Sequence, residues 1–309
     1  MSDPPWRAER ALDVEAARRL IGEQFPALVD LSVQPYGFGW DNTAFLVGDR
    51  WVFRFPRRTI AVPLMETEIA ALPGLARRLP LAIPRPAWIG RPGPDYPWPF
   101  AGYRLVEGTP AFEAGLDDAA RSRCAAPLAR FLRALHDTPL TPELVAATPL
   151  DPVGRYAFAT IVPLIDRRLE QLVARGLLDD AGRLRALIDE TPRAPARADT
   201  LVHGDLDGRH VLVDGAGAPR GVIDWGDLHR GDPATDLAMV HGFLPAAGRA
   251  EFLEVYGAVP EDVWLRARFR AISTSGAVAV YGHETGRESW TREALAALSR
   301  IVGDAAPRV

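Results

Sequence analysis

The sequence contains no lysine at all, and Asn42 is its only asparagine. Codons for both residues begin AA, and Arg, Ala, Gly and Pro abound, so nucleotide composition accounts for the bias. The chemical exclusions hold whatever its origin. A phosphate loop of the GxxxxGK[ST] type, a pyridoxal-phosphate Schiff base and a lysine general base are all ruled out. The single cysteine, Cys124, excludes an internal disulfide, and its setting in RSRCAAPLARFLRALH assigns it to the buried side of a helix. No run reaches the roughly 18 consecutive apolar residues of a membrane span. The first residues, MSDPPWRAERALDVEAARR, lack an apolar signal core, so the expected location is the cytoplasm, with no membrane partner. A net charge of -4 argues against a sequence-independent nucleic-acid binder. No protein partner is evident.

What is present is a chain of 309 residues with 48% hydrophobic content, enough to bury the cores of two lobes. Asp13 is placed to cap a helix through Gln24, with Val14, Ala17, Leu20, Ile21 and Phe25 on one stripe. The period then changes to two. Leu31–Pro35, Thr43–Val47 and Trp51–Phe55 read as an antiparallel meander. The spacing predicts a helix from Pro63 to Leu79, interrupted at Pro73-Gly74, then a short strand around Trp88-Ile89 and another over Phe100–Val106. Beyond Glu107-Gly108-Thr109-Pro110 nearly everything is helical, with helices expected at 117–136, 153–175, 180–190, 233–244, 247–256, 261–282 and 287–302. The expected class is therefore α+β and bilobal: residues 1–106 form an N-terminal lobe with an antiparallel sheet and a helix, and residues 107–309 a mainly helical C-terminal lobe.

The exception to the helical pattern is TLVHGDLDGRHVLVDGAGAPRGVIDWGDLHRGDPATD, residues 200–236. Val211–Val213 and Gly221–Ile223 flank the turn-forming Asp214–Gly217, which makes a hairpin with polar groups at its ends. Phosphoryl transfer needs a group to orient the acceptor hydroxyl, metal ligands bridging the phosphates, a cation on the phosphates and a loop over them. Asp205 lies five residues before His210, the D-x-x-x-x-N spacing of a kinase catalytic loop with His in place of Asn, and Asp224-Trp225-Gly226 matches the D-F-G metal site. Asp205 is the candidate catalytic residue; Asp224 and His210 are the candidate ligands for Mg2+, His210 directly or through water.

Arg54 occupies the strand position where V-A-I-K would place a phosphate-pairing lysine, with Arg57 and Arg58 as alternatives. Glu68, or failing it Glu66, would hold it from the following helix. Gly37-Phe-Gly-Trp-Asp-Asn42, with Gly37, Gly39 and Asn42 as candidate nucleotide contacts, lacks the last glycine of G-x-G-x-x-G and suits a hairpin over phosphates. Asp232 and Asp236 in DPATDLA read as a helix cap and a loop-bracing carboxylate, and His136 as a structural residue. Tyr281, His283, Glu284, Glu288 and Trp290 are candidates to line an acceptor pocket. Only the seven residues 225–231 separate Asp224 from Asp232, too few for the segment that holds a peptide substrate, so a small-molecule acceptor is expected.

With HGDLDGRHVLVD, GVIDWGD and DPATDLA, supported by GWDN and WVFRFPRR, the chain resembles the aminoglycoside and macrolide phosphotransferases over roughly residues 30–245. The resemblance implies a protein-kinase-like fold, Asp205 as catalytic aspartate, Asp224 as magnesium ligand, and ATP or GTP as donor to an antibiotic hydroxyl. Most relatives carry Asn where this chain has His210, but macrolide 2'- and aminoglycoside 2''-phosphotransferases tend to carry His. A metabolite kinase acting on a sugar or amino alcohol, or a nucleotide-binding pseudokinase, is the alternative.

Overall fold

The computed structural model describes residues 8–39 and 41–304. Asp13 accepts a hydrogen bond from the Ala16 amide at 2.8 Å and starts α1 (Val14–Gln24), which buries Ala17, Leu20 and Ile21. Three antiparallel strands follow: β1 (Val33–Phe38), β2 (Asn42–Val47) and β3 (Trp51–Pro56). Helix α2 (Ala61–Leu75) comes next, then β4 (Pro86–Gly90) and β5 (Phe100–Arg104), giving a five-stranded sheet of order β1-β2-β3-β5-β4. Every neighbouring pair is antiparallel.

Period-two alternation decides what each sheet face carries. Phe45 and Val47 on β2 and Phe53 and Phe55 on β3 are buried with Leu20, Ile21 and Phe100. Arg54, between the two phenylalanines, therefore points to the opposite face, towards α2. The aromatic side is tightly packed: Phe55 stacks on Phe100 with centroids 4.5 Å apart, and Tyr96 meets Phe55 edge-on at 5.5 Å. Glycine makes the closeness possible. A Cβ on Gly102 would stand 2.5 Å from the Phe53 ring, and one on Gly90 would stand 2.2 Å from Phe100.

Helix α2 does not break at Pro73-Gly74 as expected from sequence. Pro73 lies in the last turn, where its missing N–H costs one bond to the Ile69 carbonyl, and Ala76 N–H closes the helix on Leu72 at 2.9 Å. After β5 the chain crosses through residues 105–108 to β6 (Thr109–Pro110), which pairs with a later hairpin. Gly108, at φ 138°, passes so close to Leu212 that a Cβ would stand 2.9 Å from the leucine Cβ.

The helix expected over 117–136 is two helices, α3 (Asp118–Arg123) and α4 (Ala125–His136), meeting at buried Cys124. Pro127 explains the break: it cannot donate to the Arg123 carbonyl, so the ladder restarts, with Leu128 N–H reaching the Cys124 carbonyl at 3.0 Å. The Cys124 thiol instead contacts the carbonyls of Ala120 and Gly217, at 3.3 and 3.4 Å. Helix α5 (Pro142–Ala147), not anticipated from sequence, is capped by Thr141. It is followed by α6 (Phe158–Ala174), which starts five residues later than expected, and α7 (Gly182–Asp189).

Four strands build the region of the motifs: β7 (Thr200–Val202), β8 (Val211–Val213), β9 (Pro219–Val222) and β10 (His229–Gly231). Strands β8 and β9 form the expected hairpin, with β6 on its other edge, and β10 pairs with β7. Helices α8 (Ala234–Phe243), α9 (Ala246–Tyr256), α10 (Glu261–Glu284) and α11 (Glu288–Asp304) complete the chain. Nearly every side of α8 is buried, against α10 and α11. Among the described residues no helix is long and apolar enough to cross a membrane.

The aromatic packing generates a stability test. Gly102→Ala should destabilise the protein by about 1–3 kcal/mol in urea unfolding, because the added methyl overlaps the Phe53 ring. Gly93→Ala, where a Cβ meets nothing within 4 Å, should cost far less.

Candidate active site

The loop 203–210, between β7 and β8, owes its shape to one carboxylate. Asp236, fully buried in the first turn of α8, accepts the backbone N–H groups of His203 and Gly204 at 2.8 and 2.9 Å. His136 Nε2 stands 3.2 Å from the same carboxylate, and the other nitrogen of its ring meets the Tyr256 hydroxyl at 2.7 Å. Burial opposes charge on Asp236, but His136, His203 and the Gly204 amide outweigh it and hold its carboxyl below the usual range. Gly204, at φ 92°, passes the Asp227 carbonyl so closely that a Cβ would stand 2.2 Å from the oxygen. Asp232 caps α8 through the Ala234 amide at 2.9 Å and accepts Arg266 Nε at 2.9 Å. These geometries agree with the structural roles read from the sequence.

Within this frame Asp205 and Asp224 stand on either side of one imidazole. His210 donates Nδ1–H to the Asp205 carbonyl at 2.7 Å, which fixes the orientation of its ring. Nε2 faces Asp224 Oδ2 at 3.5 Å, and Nδ1 is 3.9 Å from Asp205 Oδ2. His203 is fixed the other way: its Nε2–H donates to the Ile223 carbonyl at 3.0 Å while Nδ1 accepts the Asp205 amide at 3.3 Å. Burial foremost lowers the pKa of that ring. Asp224 is the one non-glycine residue with positive φ, 64°, among the described residues, and its side chain is 50% exposed. Trp225, fully buried beside it, anchors the turn through Nε1–H to the Val222 carbonyl at 3.0 Å.

Arg54 reaches this turn from β3. Its Nη1 holds both oxygens of Glu68, at 2.7 and 2.9 Å, and Nη2 holds Asp224 Oδ1 at 3.0 Å. Glu68 is 1% exposed and also accepts the Tyr103 hydroxyl at 2.8 Å, whereas Glu66 is exposed on the other side of α2. Arg57 and Arg58 serve the β1–β2 hairpin instead: Arg57 Nη1 donates to the Gly39 carbonyl at 2.8 Å, and Arg58 pairs with Asp41. Gly39 N–H closes that hairpin on the Asn42 carbonyl at 3.0 Å, and a Cβ on Gly37 or Gly39 would meet nothing within 4 Å. Trp40 of this loop lies outside the described residues.

The donor set fits a divalent cation. Asp224 Oδ2 and His210 Nε2 face one another at 3.5 Å, and a cation between them would take a lone pair from each. Ligands about 2.1 Å from one magnesium ion stand about 3.0–3.4 Å apart at ordinary angles, close to the 3.5 Å found here. No group of three or more His, Cys, Asp or Glu side chains converges as a metal site among the described residues, so further ligands would have to be phosphate oxygens and water.

Sequence reasoning missed the arginines around Asp205. Arg209 donates to Asp205 Oδ2 at 3.2 Å and to both oxygens of Asp207, at 3.0 and 2.8 Å. Arg155 pairs with Asp151 and Asp227 and donates to the Gly204 carbonyl at 3.0 Å, and Arg270 Nη2 is 3.8 Å from Asp205 Oδ1. Burial raises the Asp205 pKa, but Arg209, His210, Arg270 and Arg155 together draw it down to about 2. The i to i+4 spacing of Asp205 and Arg209 was a usable signal; Arg155 and Arg270 come from distant segments and gave none. Of the proposed acceptor-pocket residues, Trp290 lies under Arg209 at 5.3 Å and meets Tyr281 at 6.1 Å. His283, Glu284 and Glu288 are exposed, Glu284 on Arg175 at 2.8 Å.

Removing the carboxylate at 236 strands two buried amides and His136. Asp236→Ala should cost about 3–5 kcal/mol in equilibrium unfolding. The loss should exceed that of Asp214→Ala, whose bonds stabilise only the exposed hairpin turn.

Comparison with known proteins bears on this arrangement. Among solved structures, the GDP complex of wild-type aminoglycoside 2'-phosphotransferase-IIIa superposes with a TM-score of 0.70 at 26% identity, covering 95% of this chain and 99% of the other. Macrolide 2'-phosphotransferase type I shares the fold, with a TM-score of 0.56 at 23% identity over 93% of this chain and 98% of the other. Protein YcbJ of Bacillus subtilis (strain 168) is 26% identical over 245 residues, 74% of this chain and 73% of its own. Viomycin phosphotransferase of Streptomyces vinaceus is 42% identical over 72 residues, 21% of this chain and 24% of its own. Residues 32–271 match the model of the phosphotransferase enzyme family, and the chain, with its bilobal kinase-like α+β fold, belongs to that family.

Proposed function

We propose that the protein transfers the γ-phosphoryl group of ATP or GTP to a hydroxyl of a small molecule, of the class that aminoglycoside and macrolide antibiotics represent. The observation that carries this reading is the placement of Asp205 and Asp224 on opposite sides of His210, with Arg54 bridging Asp224 and Glu68. Related structures hold GDP, in one case with kanamycin, which supports a nucleotide donor and an antibiotic-type acceptor. Residues 1–106 form the nucleotide-binding lobe in this reading, and residues 107–309 supply catalysis and acceptor binding. A cytoplasmic location is part of this reading, since ATP and GTP are abundant there.

Asp205 accepts the acceptor proton. Its low pKa keeps it ionised at neutral pH, and the loose transition state needs that proton only late, as the new O–P bond forms and the bond to the leaving diphosphate breaks. Asp224 Oδ2 and His210 Nε2 would hold Mg2+, which supplies charge neutralisation on the phosphates when bound. Arg54, steadied by Glu68, turns its second nitrogen from Asp224 to a phosphate oxygen. Gly37, Gly39 and Asn42 form a narrow hairpin above the phosphates. The short link from Asp224 to Asp232, spent on β10 and its pairing with β7, leaves no platform for a peptide and supports a small acceptor.

A metabolite such as a sugar is the second reading. One observation favours it: guanidinium groups, which repel a polycation, surround Asp205.

A phosphorylation screen with ATP and GTP over aminoglycosides, macrolides and sugars should find a turned-over acceptor. Asp205→Ala should lower kcat by about 10²–10⁴-fold while nucleotide binding persists; full turnover in that variant would overturn the mechanism. His210→Asn should keep activity and shift the preference between Mg2+ and Mn2+, since an amide oxygen replaces a softer imidazole nitrogen. An unchanged metal profile would remove His210 from the ligand set.

A further inference from the structure

Asp205 has two distinct edges. Oδ2 faces Arg209 and His210, whereas Oδ1 faces Arg270 on α10. The three guanidiniums around this carboxylate differ in how far their donors are already committed. Arg155 is committed to Asp151, Asp227 and the Gly204 carbonyl, and Arg209 to both oxygens of Asp207. Arg270 makes no hydrogen bond among the described residues. Its one ion pair, 3.8 Å to Asp205 Oδ1, is too long for a hydrogen bond, yet its side chain is only 17% exposed.

A second such group lies on the neighbouring helix. Arg168, half-buried on α6 where that helix packs against α10, has neither a hydrogen bond nor an ion pair among the described residues. The two cations oppose each other. Burial first, and then Arg155, push Arg270 below the ordinary arginine range; burial, Arg270 and Arg167 do the same to Arg168. Partly buried guanidiniums without committed carboxylates are costly, and an arriving anion relieves that cost. Asp205 cannot be the lasting partner, because its carboxylate must be available to the acceptor hydroxyl.

We propose that Arg270 and Arg168 form a subsite for an anionic group, a carboxylate or a phosphate, carried by the acceptor whose hydroxyl meets Asp205. This rests on Asp205 being the residue that receives the acceptor. The planar donors of Arg270 suit a two-oxygen grip on such a group, and Arg168 adds charge and a second point of attachment. An acceptor with positive charge at the same position meets the charges of Arg270 and Arg168 and is selected against. The anion also draws Arg270 away from Asp205 Oδ1, leaving that oxygen free for the hydroxyl proton.

The test uses the full chain saturated with a non-hydrolysable ATP analogue and Mg2+, so that the nucleotide site is filled. Inorganic phosphate and acetate are titrated in while the arginine Nε–H signals are followed by NMR. Both anions should shift the Arg270 and Arg168 signals saturably in the millimolar range. Arg270→Gln should weaken binding about tenfold and Arg270→Lys less, with melting temperatures showing that the variants fold; Arg19→Gln, at a surface ion pair, should change nothing. Signals unmoved by either anion, or shifted equally in Arg270→Gln, overturn the proposal. Response to phosphate alone assigns a phosphate ester, and response to both a carboxylate-tolerant site. For any acceptor found by screening, Arg270→Gln should raise KM about tenfold with a smaller change in kcat. A polycationic acceptor indifferent to that substitution overturns the subsite. Asp205→Ala separates the two readings: anion binding should persist as turnover disappears, and retained turnover refutes the role of Asp205 whatever the anions do.

Discussion

One guanidinium ties the sheet to the motif region. Arg54 leaves β3 on the face opposite the aromatic core, takes both oxygens of buried Glu68 on α2, and reaches Asp224 beyond β9. Its planar fork makes this possible, since one nitrogen holds Glu68 while the other addresses a second carboxylate; an ammonium has no such division of donors. Burial opposes the charge on Arg54, but Glu68 and Asp224 more than compensate, so it stays fully charged. In a chain without lysine a cation at this position has to be an arginine, and the geometry around it uses both terminal nitrogens. Tyr103 completes the arrangement by donating to the same glutamate.

The complementary constraint lies under the loop 203–210. Asp236 turns the start of α8 into a template for the backbone of His203 and Gly204, and so for the direction in which Asp205 leaves the loop. The two histidines next to it have opposite tautomers, each fixed by a carbonyl. His203 Nε2–H is given to Ile223 and His210 Nδ1–H to Asp205, which turns Nε2 of His210 towards Asp224. The direction in which that nitrogen faces is thus set by the hydrogen bond on the far side of the ring.

Much of this was legible in the sequence because it is local. The cap at Asp13, the alternation of β2 and β3, the hairpin around Asp214 and the spacing of Asp205, His210 and Asp224 follow from period and turn chemistry over a few residues. What escaped was short or non-local. Strands β7 and β10 are three residues each, too short for a period, and exist because each pairs with the other. The break at Cys124 was missed because Pro127 acts four residues upstream, on the Arg123 carbonyl. Helix α2 was expected to break at Pro73, but a proline in the last turn costs only one bond.

The sequence by itself determined which chemistry was open to the chain. The absence of lysine left arginine as the one long cationic side chain, the acidic motifs set the spacing of Asp205, His210 and Asp224, and only seven residues separate Asp224 from Asp232. Those properties reside in residue identity and in distances along the chain. Only the tertiary structure decided the electrostatic surroundings. It selected Glu68 over Glu66 through burial on one side of α2, committed Arg57 and Arg58 to the hairpin, and brought Arg155, Arg209 and Arg270 around Asp205 from three separate segments. Coulombic interactions depend on separation in space and on burial, and neither is written in the order of residues.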